Sequence, residues 1–244
     1  MNDEAAGADR AGPASAAEVI VECRGLERTY GEGEARVRAL DGVDFDVHAG
    51  EFVSLAGPSG SGKSTLLNMI GALDVPDAGT VRVQGRPLAD LDRAERADLR
   101  LRHIGFVFQS YNLIPVLSAR ENVEFIMQLQ GVAAAERARR ALDVLGELGL
   151  AGLADRRPGE MSGGQQQRVA VARAIVTHPV LLLADEPSAN LDSATTDELL
   201  GLLARLNGDH GMTIVTATHD PTVMAYARRR VHMRDGRIER DEIV

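Results

Sequence analysis

The order of hydrophobic and polar positions divides the chain into a β-rich start, a helical middle and an end in which strands and helices alternate. VIVEC, which begins at Val19, has the two-residue period of a strand, and that period returns at Val43, Phe45 and Val47 after a turn-rich stretch. These segments predict an antiparallel β layer. Residues 1–18 are small and acidic and lack the apolar run of a signal peptide, so we expect a flexible tail ahead of one domain over residues 19–244.

A more continuous apolar segment comes next. EFVSLAG fits a strand that is covered on both faces. A glycine-rich loop follows it, and KSTLLNMIGAL then has the composition of a helix, while TVRVQG and HIGFVFQ indicate two further strands. The glycine-rich loop therefore lies directly between a strand and a helix.

Between residues 119 and 177 the apolar period becomes that of helices, and no strand candidate interrupts it. Five apolar residues there fall at helical spacing: Ala138, Ala141, Leu142, Leu145 and Leu148. We expect an inserted α-helical subdomain over about residues 110–178.

After this segment, strands and helices alternate again. VLLLAD and MTIVTAT have strand composition, and a helix with leucines at 199, 202, 203 and 206 separates them. Strand, helix and strand in this order predict a parallel sheet. The fold class is therefore α/β, with a parallel sheet, an N-terminal antiparallel β subdomain and an inserted helical subdomain.

Composition narrows the functional classes. The 244 residues carry a formal net charge of -9, which weighs against a nucleic-acid partner. Cys23 is the single cysteine, so the cytosol is the default compartment, and no apolar run reaches the roughly 20 residues that a membrane helix needs. Lys63 is the single lysine among 27 basic residues, in a chain that otherwise uses arginine.

The motif GPSGSGKS has the spacing of a phosphate-binding loop, in the expected place between strand and helix. Its glycines allow backbone N–H groups to turn toward phosphate oxygens, Lys63 would reach the β- and γ-phosphates, and Ser64 would ligate Mg²⁺. The alternative is a glycine-rich turn that caps a helix and binds nothing. The predicted nucleotide contacts are Gly57, Pro58, Ser59, Gly60, Ser61, Gly62, Lys63, Ser64 and Thr65.

A DE pair ends the apolar strand VLLLAD. In phosphate-loop enzymes such an Asp orients Mg²⁺, and an adjacent Glu can activate the attacking water as a general base. Asp185 is therefore the expected metal ligand and Glu186 the expected base. Taken alone, such a pair more often begins a solvated loop, but the phosphate loop upstream favours the catalytic interpretation.

A second candidate anion site begins at SGGQ. Ser162 is a suitable helix N-cap, and the N–H groups of Gly163 and Gly164 would point at an anion beyond the helix start, with Gln165 beside them. The alternative is an ordinary capped turn. In this order, GPSGSGKS, SGGQ and the DE pair resemble the ATP-binding cassette family, in which Leu is usual where this chain has Met161.

The resemblance extends over residues 19–241 and implies further roles. Tyr30 matches the aromatic residue that stacks on adenine, Gln109 the glutamine that senses the γ-phosphate and metal, and His219 the switch histidine. Gln109 and His219 thus join Glu186 as implied catalytic residues, and Gln109 is also an implied metal ligand. Each of the three also has a simpler interpretation, as an edge-strand aromatic, a surface amide and a satisfied strand-end histidine.

Within the family, GEGEARVRAL, RHIGFVFQSYNLIP and THDPTVMAYA resemble the lipoprotein-release and macrolide-export branch. The resemblance implies a subunit that binds and hydrolyses ATP with Mg²⁺ and powers a separate transmembrane permease through nucleotide-driven closure of a dimer. It also implies a peripheral location on the cytoplasmic side of the cell membrane, through the permease, and a soluble isolated subunit.

The quaternary expectations also follow from the resemblance. The SGGQ segment of one subunit would close on the nucleotide held by the phosphate loop of a second subunit of identical sequence. This gives a head-to-tail dimer with two sites. SANLD matches the family's dimer-contacting loop. Tyr111, Leu113 and Ile114 could contact the permease, or they could pack locally around Pro115.

Two other classes of protein share part of these motifs. A soluble, non-transport cassette ATPase of the DNA-repair or translation type would be expected to carry a second cassette, a long coiled-coil insertion or a basic surface, and the sequence contains none of these. A nucleotide kinase shares the phosphate loop, but it has no need of SGGQ or of a histidine after the next strand.

Overall fold

The computed structural model describes residues 18–244, and residues 1–17 of the expected tail lie outside the described residues. The strands are β1 (Val19–Tyr30), β2 (Val37–His48), β3 (Phe52–Ala56), β4 (Ala78–Val83), β5 (Arg86–Pro87), β6 (Ile104–Val107), β7 (Leu181–Asp185), β8 (Thr213–Thr218), β9 (Arg229–Arg234) and β10 (Arg237–Ile243). The helices are α1 (Lys63–Ile70), α2 (Arg93–His103), α3 (Ala119–Leu129), α4 (Ala134–Glu147), α5 (Gly163–Ile175), α6 (Ser193–His210) and α7 (Pro221–Tyr226). Short 3-10 turns span Gly33–Ala35, Leu88–Asp90, Ala151–Leu153 and Pro158–Glu160.

The strands form two sheets. The first is antiparallel, with the order β2-β1-β4-β5, and the second has the order β10-β9-β3-β8-β7-β6. In the second sheet the neighbours from β9 to β6 are parallel, and only β10 runs antiparallel to β9. The expected α/β fold, with an antiparallel β layer and a parallel sheet, is confirmed.

The antiparallel sheet forms because alternate residues of its strands are apolar. Val21, Cys23 and Leu26 of β1 are fully buried, and they pair across the sheet with Val47, Phe45 and Val43 of β2, in that order. This face packs against α1 and one face of the parallel sheet in a shared apolar core. Burial raises the pKa of the Cys23 thiol far above its ordinary value, so this thiol is an inert core group.

The parallel sheet carries the second core on its other face. All five residues of β3 and all six of β8 are buried, as predicted for strands covered on both faces. Helices α3 to α6 contribute to the second apolar core, which covers this face of the sheet. Since parallel strands end at the same edge, the loops after β3, β7 and β8 meet there.

The segment predicted as an inserted helical subdomain contains α3, α4 and α5 between β6 and β7. Leu142 lies in α4, as its helical spacing predicted. The buried stripe of this helix runs through Ala141, Val144 and Leu145, whereas Leu142 is 45% exposed. Helix α5 contacts both α3 and β6. The subdomain limits at residues 110–178 stay a prediction.

The sequence patterns did not predict α2, β9 and β10. Only Leu99 of α2 is buried, so this helix has no apolar stripe, and a capping box between Asp92 and Glu95 starts it instead. Every helix within residues 18–244 is too short or too polar to cross a lipid bilayer.

Candidate functional site

The loop between β3 and α1 is shaped by glycines. Gly57 and Gly62 have φ of 150° and 102°, and a Cβ on them would lie 2.2 Å from the Met233 carbonyl oxygen and 2.4 Å from the Ala39 carbonyl oxygen. Only glycine fits at either position. Gly62 is also the N-cap residue of α1. Since glycine has no side chain, it offers no acceptor to the N–H groups of the first turn of α1.

Lys63 is held at the floor of this loop. The side chain is 6% exposed, and its Nζ donates to the Gly57 and Pro58 carbonyl oxygens at 2.8 and 2.9 Å. Burial lowers the pKa of Lys63, against the opposing effect of the Glu186 and Asp185 charges. A buried ammonium bound to neutral carbonyls is stabilised by an incoming anion.

A nearby hydroxyl supports the same interpretation. Ser61 Oγ is buried and has no hydrogen-bond partner among residues 18–244. An unpartnered buried hydroxyl is costly unless something satisfies it, and a phosphate oxygen is a suitable acceptor. The loop, Lys63 and this hydroxyl together fit a polyphosphate.

The residues expected to hold the metal lie beside the loop. Ser64 Oγ donates to Asp185 Oδ1 at 2.9 Å, although 121 positions separate them in the sequence. Burial raises the pKa of Asp185, an effect that a bound cation would reverse. A hydroxyl and a carboxylate at the cleft, with Gln109 in its lining, are the oxygen ligands that Mg²⁺ prefers, so these residues fit the ion.

Glu186 and His219 form a pair at the ends of β7 and β8. His219 Nδ1 lies 2.8 Å from Glu186 Oε1, and Thr218 Oγ1 donates to Glu186 Oε2 at 3.2 Å. The Glu186 side chain is 17% exposed and that of His219 is 68% exposed, so the histidine covers the carboxylate from the solvent side. Glu186 has a φ of 45°, which is rare for residues other than glycine and is common at functional sites.

Most of these groups line one cleft of about 480 Å³, whereas the predicted site residues Gly57, Pro58 and Asp185 are not in its lining. Its lining comprises Val37, Ala39, Ser59, Gly60, Ser61, Gly62, Lys63, Ser64, Thr65, Gln109, Glu186, Ala189 and His219. No role in this cleft was predicted for Val37 and Ala39, which lie in β2. They belong to the GEGEARVRAL stretch, which was expected to be turn-rich.

Tyr30 is not part of this lining. Its hydroxyl donates to Asp74 Oδ2 at 2.8 Å, and the Arg28 guanidinium lies 4.8 Å from its ring centroid. Tyr30 pairs across the sheet with Val37, which does line the cleft. Its adenine contact stays a prediction.

The SGGQ residues lie at the start of α5 and do not line the cleft. Ser162 and Gln165 form a capping box, in which the Gln165 N–H donates to Ser162 Oγ at 3.3 Å and the Ser162 N–H donates to Gln165 Oε1 at 2.9 Å. A Cβ on Gly164 would lie 2.3 Å from Thr195 Cγ2, so close packing against α6 accounts for that glycine. Within one chain the two expected anion sites are therefore separate.

A phosphate-binding loop at the carboxyl edge of a parallel sheet, with a carboxylate and a histidine opposite and a separate SGGQ helix start, defines an ATP-binding cassette. The comparisons identify the family. The family model described as ABC transporter matches residues 40–189. The chain therefore belongs to the ABC transporter family and is a cassette of the ATPase class, as its motifs predicted.

Individual relatives agree with this assignment. The lipoprotein-releasing system ATP-binding protein LolD of Chromohalobacter salexigens is 43% identical, over 92% of this chain and 94% of its own length. The macrolide export ATP-binding/permease protein MacB of Marinobacter nauticus is 48% identical over 91% of this chain, which spans only 34% of that relative. The dimeric post-hydrolysis structure of the ATP-binding cassette MJ0796 bound to ADP and Pi superposes with a TM-score of 0.86 at 43% identity, over 92% of this chain and 98% of that one.

Proposed function

We propose that this chain is the subunit that binds and hydrolyses ATP for a transporter and drives a separate membrane permease through closure of a dimer. The observation that carries the proposal is the cleft, in which the buried Lys63 loop faces the Glu186 and His219 pair. The full-length similarity to LolD, whose name describes an ATP-binding protein of a lipoprotein-releasing system, supports a permease partner.

The site residues divide the hydrolytic reaction between them. The N–H groups at the start of α1 and the Lys63 ammonium bind the β- and γ-phosphates and stabilise the charge that develops on the γ-phosphate. Glu186 takes a proton from the water whose oxygen bonds to the γ-phosphorus as the bond to ADP breaks. His219 holds the Glu186 carboxylate at 2.8 Å and keeps it aimed at the cleft.

Mg²⁺ would be held by Ser64, Asp185 and Gln109. When bound, the ion neutralises phosphate charge during the transfer. The observed hydrogen bond between Ser64 and Asp185 keeps two of these ligands together, which reduces the reorganisation needed for binding.

The dimer follows from the separation of the two anion sites. The SGGQ helix start does not line the cleft of its own chain, so the proposal places it against the γ-phosphate held by a second copy, in a head-to-tail arrangement. ATP then stabilises the dimer, and loss of the γ-phosphate contact after hydrolysis lets it open. The reported dimer of the MJ0796 cassette supports two-chain assembly.

A second surface fits the permease. An apolar groove of about 670 Å³ runs between α2, β6 and α3, and its lining includes Leu101, Phe106, Ile126 and Leu129. Leu129 is 56% exposed. An apolar groove of this size suits one helix of a partner, and binding there would place the subunit on the cytoplasmic side of the membrane.

The expected contact segment divides between this groove and the core. Ile114 lines the groove, whereas Leu113 packs against the helical core, which favours the local-packing alternative for Leu113. Arg173, also in the lining, donates to the Tyr111 carbonyl oxygen at 2.9 Å and fixes the segment there. We therefore assign the permease contact to Ile114 and the groove rather than to Leu113.

The test is membrane co-purification with a charge in the groove. Leu129→Asp should leave the ATPase rate of the isolated chain within about twofold of wild type, since the cleft is untouched, and should abolish recovery of an integral membrane protein with the tagged chain. Leu142→Asp, at an exposed apolar residue of α4 outside the groove, is the matched control and should retain the partner. Equal recovery with both variants would refute the groove assignment, and absence of any membrane partner with wild type would favour a soluble cassette ATPase.

A further inference from the structure

A buried glutamine connects the SGGQ helix to the turn that carries the base. Gln167 lies in the second turn of α5 and is fully buried. Its Nε2 donates to the Pro187 carbonyl oxygen at 2.6 Å, one residue beyond Glu186. Its Oε1 is buried and has no partner among the residues that the structure describes. The amide is therefore committed to a single bond, and that bond goes to the chain next to the base.

The turn that receives this bond has an unusual backbone. Glu186 has a φ of 45°, and the following proline restricts its conformation further. Two backbone bonds hold the turn: the Glu186 N–H donates to the Ala217 carbonyl oxygen at 2.9 Å, and the Ala189 N–H donates to the Glu186 carbonyl oxygen at 3.2 Å. Gln167 adds a hydrogen bond to this turn from outside it, because Gln167 belongs to helix α5.

The first turn of α5 also packs directly on the chain that follows the base. A Cβ on Gly163 would lie 3.8 Å from the Asn190 carbonyl oxygen, and one on Gly164 would overlap Thr195. Asn190 in turn donates to the Gln109 carbonyl oxygen at 3.0 Å. Because protein interiors are close-packed, a shift of the start of α5 would move the turn that follows Glu186 as well.

We propose that Gln167 is a positioning residue that couples the two nucleotide sites of the dimer. Closure of the SGGQ segment on the partner's nucleotide fixes the position of α5. Because Gln167 of α5 is hydrogen-bonded to the Pro187 carbonyl oxygen, the position of α5 in turn fixes the position of the Glu186 carboxylate in the same chain. Each base is thus aligned when the opposite site is filled. The inference rests on the proposed function, because it requires the dimer. Gln167 is fully buried and does not line the cleft, so it acts through the turn.

The experiment removes the amide donor at nearly constant volume with Gln167→Met. The ATPase rate is measured against ATP concentration for the purified full chain. We expect kcat to fall about tenfold with KM within about twofold, since contacts made on binding remain. The Hill coefficient should fall from about 2, the limit for two sites, toward about 1.

A second measurement separates alignment of the base from assembly. In a Glu186→Gln background, Gln167→Met should still form the ATP-dependent dimer in gel filtration, because the phosphate contacts are intact. Asn207→Leu is the matched control: Asn207 is a buried amide in α6 that donates to the Gly50 and Met212 carbonyl oxygens at 2.8 Å, away from the site. It should lower Tm without changing the Hill coefficient.

Gln167→Asn keeps an amide but shortens its reach by one methylene, and it replaces Gln167→Met if that variant does not fold. A folded Gln167 variant with wild-type kcat and Hill coefficient would overturn the inference, and so would a lower kcat with unchanged cooperativity. If wild type neither hydrolyses ATP nor dimerises with it, the proposed function fails instead, which is a different result.

Discussion

Two helix starts in this molecule were both expected to bind phosphate, and the chain builds them in opposite ways. Helix α1 begins at Gly62 with no side-chain cap, beside a buried lysine and a buried hydroxyl, that of Ser61, which has no partner within residues 18–244. Helix α5 begins at Ser162 with a complete capping box. The first helix start has no side-chain cap, whereas the capping box of the second satisfies the Ser162 and Gln165 N–H groups within the chain.

The difference explains why one start forms a site within the chain and the other does not. Uncapped N–H groups and a desolvated cation lose stability unless an anion arrives, so α1 depends on its ligand. The capped start of α5 is stable by itself, and it lies outside the cleft. Its contribution to an ATP site therefore depends on a second copy of the chain, which makes dimer formation the step that completes the site.

The largest expected effect is on the rate of ATP hydrolysis, and the same variant should still form the ATP-dependent dimer. Glu186→Gln should lower kcat by about 10²–10⁴-fold, since the amide cannot accept the proton of the attacking water. ATP binding and closure should survive, because the phosphate contacts of α1 and α5 are unchanged. Steady-state ATPase rates and gel filtration with ATP measure the two properties. Turnover near the wild-type rate would contradict the assignment of the base.

The next largest effect is expected at Lys63, at the start of α1. Lys63→Arg keeps the charge but replaces a compact ammonium with a planar fork, which does not fit between carbonyls at 2.8 and 2.9 Å from a single nitrogen. We expect about a 100-fold loss of ATPase activity and weaker binding of a fluorescent ATP analogue. Arg86→Lys, at an exposed position, should change neither. Retained hydrolysis in Lys63→Arg would mean that the bias toward arginine, and not a phosphate site, explains the single lysine.

The smallest expected effect is on stability, and it tests the Ser162 cap of α5. Ser162→Ala removes the cap of α5 and should lower the free energy of unfolding by about 1 kcal/mol. Ser118→Ala removes the same kind of cap from α3, where Ser118 forms a capping box with Glu121, and should cost a similar amount. Only Ser162→Ala should also weaken the ATP-dependent dimer. Equal dimerisation in both variants would show that Ser162 is only a structural cap. Denaturant melts and gel filtration supply the measurements.

The sequence predicted much of the fold because most elements have a local signal. Contiguous apolar strands such as β3 and the phosphate loop after it could be placed from residues alone. Helix α2 was missed because its burial is limited to Leu99, so it has no apolar period to detect. On α4, helical spacing did not distinguish the exposed Leu142 from the buried Ala141 and Leu145. Gln167 was not singled out, since one buried amide in a polar run of glutamines has no pattern of its own.

Sequence alone determined the chemistry of the site: a phosphate loop with its single lysine, a DE pair, a histidine after a strand, and a capped SGGQ helix. These are short motifs whose residues are contiguous, so local backbone geometry specifies them. Only the tertiary structure brought Ser64 to Asp185 across 121 positions and His219 to Glu186 across 33. It also decided that α5 starts outside the cleft, because the order of strands in the parallel sheet, which no local pattern encodes, sets which loops meet.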